Sequence, residues 1–316
     1  MAEVVTFGET MVVFTPESVG PFRHADRFRK SFGGAESNVA MGLVRLGHSA
    51  AWVSKVSADP MGEYVLGALR GEGVDVSHVR RIPDSFTGVI IKERLGFGDP
   101  NVFFYRRGAA ASTMTPAEFP PEALQGARIL HATGIFPALS PNCLETARFA
   151  LKTARNMGLT VSFDPNMRRK LWTPDEARPV LRKLAGMADI LLPGLDESEL
   201  MTGPGSPTEL AGRLLELGPK LVVIKLGPEG ALVAQHGQSP VLVSGKPLSP
   251  VDSVGAGDAF AAALLAGILE GRDPIAAAHM GCAAGALATQ VPGDVEGLPL
   301  RSDLDRFLGN GSHVAR

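Results

Sequence analysis

Late in the chain the sequence reads Val251-Asp252-Ser253-Val254-Gly255-Ala256-Gly257-Asp258-Ala259-Phe260. Two glycines stand just before a long apolar stretch with the texture of a helix, and an aspartate falls in its first turn. With no Cβ in the way at the glycines, backbone N–H groups from Gly255, Ala256 and Gly257 can converge. A helix N-terminus adds positive potential, so an anion can rest there. The same potential favours an ionised Asp258. A carboxylate beside an anion hole suits phosphoryl transfer to an alcohol: the hole holds charge on the transferring group, and the carboxylate orients the hydroxyl and takes its proton. The run also suits an ordinary glycine turn capped by Asp258. It suits a dinucleotide loop less well, since Phe260 stands where a third glycine belongs. A Walker-type loop is missing, because the Gly245-Lys246 pair runs into Pro247.

Two arginine segments carry a second kind of chemistry. Phe103-Phe104-Tyr105-Arg106-Arg107-Gly108 ends an extended run, and Asp164-Pro165-Asn166-Met167-Arg168-Arg169-Lys170-Leu171-Trp172 follows one. Arginine offers a planar fork that pairs with a carboxylate through two hydrogen bonds, so a pair of them at one cleft points to an acidic substrate. Either one alone suits a solvated surface equally. Lys225-Leu226-Gly227-Pro228-Glu229-Gly230 is a tight turn after a strand, and Gly194-Leu195-Asp196-Glu197 an acidic helix start. The seven histidines (24, 48, 78, 131, 236, 279, 313) show no i, i+4 pairing and no cysteine partner, which argues against a transition-metal site. Cys143 and Cys282 lie too far apart in sequence to suggest a disulfide framework.

These residues need a scaffold, and the alternation of patterns supplies one. Strands are expected at 3–7, 51–56, 129–132, 160–164, 189–192 and 220–225. Helical patterns fill 33–47, 61–69, 142–157, 175–185 and 208–217 between them. Short strands at 231–234 and 240–244 precede two Ala-rich helices, 255–270 and 275–289. Strand–helix alternation of this kind builds a mostly parallel sheet covered on both faces, with ligands at the carboxyl ends of its strands. The stretches 87–94 and 101–107 instead read as an antiparallel hairpin around Gly96-Phe97-Gly98-Asp99-Pro100. With the segment around 12–32 it should form a small β appendage. The expectation is one α/β unit over 1–316 with that appendage attached.

Composition agrees. Of 316 residues, 45% are apolar and 20% charged, which excludes a disordered chain, and the net charge of −2 gives no general attraction to nucleic acid or an anionic membrane. The start lacks the pattern of a signal peptide, and the apolar run from Ala259 to Leu269 is too short to span a bilayer. A cytoplasmic protein is expected.

Asp252-Ser253-Val254-Gly255-Ala256-Gly257-Asp258 closely resembles the C-terminal signature of the ribokinase-like (PfkB) carbohydrate kinases. Gly33-Gly34-Ala35-Glu36-Ser37-Asn38-Val39-Ala40, with Gly47 beyond it, resembles their N-terminal signature. The resemblance spans the chain. It implies a ribokinase-like α/β core, a β-sheet lid, and phosphorylation of a sugar hydroxyl by ATP with Mg2+; the unpaired edge strand of that lid would suit pairing with a second subunit, so a homo-oligomer through the lid is expected. Carried onto this sequence, Asp258 is the base and Gly255, Ala256 and Gly257 the anion hole. Gly33, Gly34 and Asn38 line the sugar site, the glycines by letting backbone approach the hydroxyls. Lys225, Gly227, Gly230 and Cys282 fall on the nucleotide side, with Glu197 acting on magnesium through water. Within the family the arginine segments resemble those of 2-keto-3-deoxygluconate kinases, placing Tyr105, Arg106, Ile135 and Arg168 around the substrate. The Asp-Pro-Asn-x-Arg pattern is also similar in 5-keto-2-deoxygluconate kinases, with fructokinase or ribokinase further alternatives. Ile90, Gly194 and Cys282 depart from the usual tyrosine, asparagine and asparagine. A sugar-acid-binding protein that kept the fold without catalysis is the reading from another class; the intact glycine run and Asp258 speak against it.

Overall fold

The structure is a computed structural model that describes residues 1–96, 101–246 and 248–309. Its first half holds β1 (Val4–Phe7), β2 (Met11–Pro16), β3 (Phe28–Gly33), α1 (Ala35–Arg45), β4 (Ala50–Ser57), α2 (Pro60–Gly71), β5 (Val79–Ile82), β6 (Val89–Glu93) and β7 (Asn101–Tyr105). Then come β8 (Ile129–Thr133), α3 (Pro141–Asn156), β9 (Thr160–Asp164), α4 (Pro174–Ala185), β10 (Ile190–Leu191), α5 (Leu195–Thr202) and α6 (Pro207–Leu215). β11 (Leu221–Lys225), β12 (Gly230–Gln235), β13 (Val241–Ser244), α7 (Ala256–Leu269), α8 (Pro274–Ala288) and α9 (Arg301–Leu308) complete it.

Nine strands make one sheet in the order β13-β12-β11-β10-β9-β8-β1-β4-β5. From β11 to β5 every pairing is parallel, whereas β12 and β13 add antiparallel to that edge. Alternation along each strand sorts side chains between two cores. Val4, Trp52, Val223 and Val233 face α1, α2, α7 and α8, while Val5, Val53, Val222 and Leu232 face α3, α4 and α6. That is why the strands read as continuous apolar runs: both faces are covered.

The expected parallel sheet and appendage are both present. A separate four-stranded sheet, β3-β2-β6-β7, is the appendage expected as a lid. β6 and β7 are the antiparallel arms of the hairpin, although its turn residues 97–100 lie outside the described residues. The small elements β5 and α9 were not expected, and of α5 only the acidic start at Gly194-Leu195-Asp196-Glu197 was. Their patterns are too short, and in β5 too charged (Val-Arg-Arg-Ile), to stand out from a loop.

Helices α1 and α7 cross closely. A Cβ on Gly42 would meet the Ala262 Cβ at 2.6 Å. Asn38 and Asp258 each lie four residues, about one turn, before that crossing. The small residues bring the two functional positions face to face.

Candidate active site

Asp258 sits in the first turn of α7 and is 8% exposed. Its Oδ2 accepts a hydrogen bond from Asn38 Nδ2 at 2.8 Å, joining two motifs 220 residues apart. The expectation of an ordinary ionised carboxylate is corrected here. Burial pushes the Asp258 pKa up to about 7, and Asp164 adds to the rise. The Asn38 hydrogen bond and the charges of Arg168 and Lys225 oppose it without cancelling it. A carboxyl poised near neutrality is what a general base requires.

Gly255 precedes the helix with φ 79°, a left-handed conformation that glycine adopts readily. Beside Gly257 stands a cation, for the Lys225 ammonium lies 3.9 Å from where a Gly257 Cβ would be. Lys225 ends β11 and reaches Asp164 Oδ2 at 2.5 Å, at the end of β9. Helix terminus, glycines and lysine therefore make one electropositive end of the cleft, which fits a chain of phosphates. Gly227 and Gly230 shape the turn after β11 (φ 59° and 113°). A Cβ on Gly230 would strike the Val243 carbonyl at 2.0 Å, so this glycine serves the packing of the turn against β13. Cys282 lies on α8, mostly buried in the core beneath α7, with its thiol pushed up to about 11 by that burial.

Glu197 is a tie as well as a charge. Its Oε1 accepts from the Met167 N–H and its Oε2 from the Gly194 N–H, each at 2.7 Å, so it pins the start of α5 to the arginine loop. Burial pushes its pKa up, and the neighbouring Asp164 pushes the same way. Among the described residues no group of three or more His, Cys, Asp or Glu could hold a metal directly. The donors present, two buried carboxylates already engaged by N–H groups and an ammonium, fit a magnesium ion that keeps most of its water and is held mainly by phosphates.

Beside Asn38, Gly33 and Gly34 are tightly packed positions. The Cβ space of Gly34 is taken by the Glu9 carbonyl at 2.2 Å, and that of Gly33 by the Asp294 side chain at 2.8 Å. They let protein backbone and side chains close up. Ile135 holds its place through its N–H, which donates to Thr133 Oγ1 at 3.0 Å. Thr133 in turn donates to Glu36 Oε1 at 2.5 Å. Glu36 is fully buried, and burial pushes its pKa up to about 7.

The two arginines separate. Arg106 is nearly buried and ion-paired with Glu9, itself 2% exposed and with its pKa pushed up by burial against the pull of that guanidinium. Arg168 is exposed, has no ion pair among the described residues, and lies near enough to Asp258 to lower its pKa. Asp164 Oδ1 accepts the Asn166 N–H at 3.1 Å, and Asn166 has φ 38°, so the chain turns sharply at the strand end and carries Arg168 toward the base.

Tyr105 is not brought to this cluster. It pairs with Val89, is 59% exposed, and points to the opposite lid face from Arg106. Phe104 takes the cleft-side position: it pairs with Ile90, and the Arg106 guanidinium lies 5.8 Å from its ring centre. Strand alternation back from Arg106 would have selected Phe104. Glu9, Asp164 and Asp294 were also missed as site residues, and only Asp164 had a visible signal, its place at a strand end.

Comparison with known proteins adds the lineage. The chain is 45% identical over 309 residues to 2-dehydro-3-deoxygluconokinase of Bacillus subtilis (strain 168), covering 97% of this chain and 95% of the relative. The fold superposes on the crystal structure of 2-dehydro-3-deoxygluconokinase from Thermotoga maritima with a TM-score of 0.90 at 30% identity, covering 98% and 100% of the two chains. An E.coli structure provisionally named ribokinase II, solved with ATP and Mg2+, gives 0.90 at 26% identity over 98% and 99%. Residues 1–301 match the model of the pfkB family carbohydrate kinases. The chain belongs to that family.

Proposed function

We propose that this carbohydrate kinase transfers the γ-phosphoryl group of ATP to the 6-hydroxyl of 2-keto-3-deoxygluconate. The observation that carries the chemistry is the opposition of Asp258, held by Asn38, to the electropositive end made by Gly255–Gly257 and Lys225. Asp258 takes the hydroxyl proton as the sugar oxygen bonds to the γ-phosphorus and the bond to ADP breaks. Charge on the transferring oxygens meets the N–H groups at the start of α7 and the Lys225 ammonium. Magnesium, once bound with the nucleotide, would supply charge neutralisation at the phosphate oxygens. Glu197 and Asp164 would hold its water shell.

Arg168 supports the acidic substrate, because an exposed guanidinium with no ion pair among the described residues, near the base, is available to a carboxylate. The name of the Bacillus relative agrees. Among the described residues no helix is long and apolar enough to cross a membrane, and the reading places the enzyme in the cytoplasm, where ATP is abundant. The outer lid face exposes Phe103 and Tyr105 on the edge strand β7, which supports a homo-oligomer paired through the lid. Phe103→Lys should then weaken self-association in sedimentation experiments.

An ADP-release assay across 2-keto-3-deoxygluconate, its galactonate epimer, 5-keto-2-deoxygluconate, fructose and ribose tests the substrate. The keto-deoxy acid should lead in kcat/KM by at least about tenfold over neutral sugars, the worth of one charge-assisted contact. Equal or better turnover of fructose or ribose would overturn the assignment.

A further inference from the structure

The loop between β9 and α4 carries Arg168 and is fastened to the core at two points. Glu197 Oε1 accepts the Met167 N–H at 2.7 Å, and Trp172 packs against the core on the face covered by α3 and α4. Between those points the chain folds back. The Arg168 carbonyl accepts the Leu171 N–H at 2.9 Å, a turn with Arg169 and Lys170 at its tip. From that tip Lys170 crosses to the small sheet. Its Nζ donates to the Val102 carbonyl at 2.7 Å and lies 5.3 Å from the centre of the Phe104 ring. β7 is the edge of its sheet, so it has main-chain groups without a strand partner, and Lys170 takes one of them. The Arg106 guanidinium lies 5.8 Å from the same ring. Phe104 is thus approached by one cation from the end of its own strand and one from the core. The ring attracts both, and the carbonyl adds a bond with direction.

We propose that Lys170 is a positioning residue for the substrate. It ties the small sheet to the turn that begins at Arg168, so that the Arg168 guanidinium and the Phe104 ring are held as two walls of one sugar-acid site. Arg168 stands on an exposed turn, and left to itself such a turn samples many backbone and side-chain positions. Fixing the tip of the turn to β7 narrows that range before the substrate arrives, which lowers the ordering cost of binding. Phe103 and Tyr105 alternate to the other face of β7, so the tie leaves that face free.

The inference rests on Arg168 serving the substrate carboxylate, and its test has one arm that needs no substrate. In Lys170→Met, hydrogen exchange over Asn101–Tyr105 in the free enzyme should quicken at least about twofold, because the edge strand loses a support. Exchange equal to wild type there overturns the tie, whatever the enzyme phosphorylates. The second arm is kinetic. Lys170→Met should raise KM for the keto acid roughly three- to tenfold, the usual worth of one hydrogen bond, with kcat and KM for ATP within about twofold. Lys170→Arg should recover most of the affinity, since a guanidinium can donate to the same carbonyl and rest on the same ring. In an Arg168→Met background Lys170→Met should raise KM no further, because the tie acts through Arg168. Losses that multiply in the double variant would make Lys170 a ligand of the substrate in its own right and overturn the positioning role, as would an unchanged KM in the single variant. An Arg168→Met enzyme with a normal KM for the keto acid sinks the substrate reading instead, and the exchange arm then decides the tie.

Discussion

The two ends of the cleft handle charge in opposite ways. The phosphate end is built to receive an anion: backbone N–H groups at the start of α7, a left-handed glycine, and a lysine already balanced by Asp164. The sugar end is crowded with carboxyls, for Glu9, Glu36 and Asp258 are all buried there, and burial raises the pKa of each. One end stabilises charge that arrives with the substrate. The other stores protons and unbalanced charge of its own, which folding tolerates only where function needs it.

Asp258→Asn should break that contrast most sharply. Turnover should fall by roughly 10²–10⁴-fold, the usual worth of a positioned base, with nucleotide binding retained. A kcat within threefold of wild type would remove Asp258 from the role. The same variant should be more stable than wild type, and only at higher pH. Folding raises the carboxyl pKa from 3.8 to about 7, so the stabilisation it gives is full below pH 4 and is lost as pH rises through 7. Near pH 4 the two proteins should unfold together. By pH 8 the asparagine form should lead by on the order of 2–4 kcal/mol, at about 1.4 kcal/mol per pKa unit. Parallel pH curves in denaturant titrations would show that the charge is not buried as described.

Arginine replacements sharpen the comparison inside the sugar end. Arg106→Met leaves Glu9 buried without its counter-charge, so it should lose about 3 kcal/mol of stability, limited by protonation of the glutamate. Glu9→Gln in the same background should restore part of it. Arg168→Met should leave stability nearly unchanged, because the side chain is exposed and has no ion pair among the described residues. Its loss should appear in kcat/KM for the keto acid, roughly ten- to a hundredfold, with little change on a neutral sugar. If Arg106 carried the substrate specificity instead, the two patterns would be exchanged.

The glycine turn before α7 was legible in the sequence because its requirements are local. Backbone that must converge demands glycine, and Gly255, Gly257 and Asp258 lie within four residues. The sugar end depends on pairings such as Asn38 with Asp258 and Glu36 with Thr133, and no local pattern announces those. The strand–helix alternation pointed to the mostly parallel sheet for the same local reason, while short, charged β5 escaped it. Tyr105 pairs with Val89 and Phe104 with Ile90, and in a strand one residue is the other face. Gly33 and Gly34 were correctly seen as close approaches, but what approaches them, Asp294 and the Glu9 carbonyl, can be known only from the packed chain.

The smallest expected effect concerns the protons stored at the sugar end. Asp258 must be deprotonated to accept the hydroxyl proton, so kcat/KM should fall on the acid side of pH 7, its folded pKa being about 7. Glu36 titrates in the same range, and the Asp258 charge is among the causes of its rise, after burial. Interaction between two sites is mutual, so an ionised Glu36 must also hold the Asp258 pKa up. Glu36→Gln keeps the shape and removes that charge, and its amide can still accept from Thr133. The acid limb of the pH profile should therefore move to lower pH, by less than about one unit because burial supplies most of the rise. The plateau rate should change little. A limb that stays in place would mean that Glu36 remains protonated throughout and acts only as a neutral partner of Thr133. A limb that moves to higher pH would show that Glu36 steadies the ionised base, and the picture of two opposed carboxyls would have to be given up.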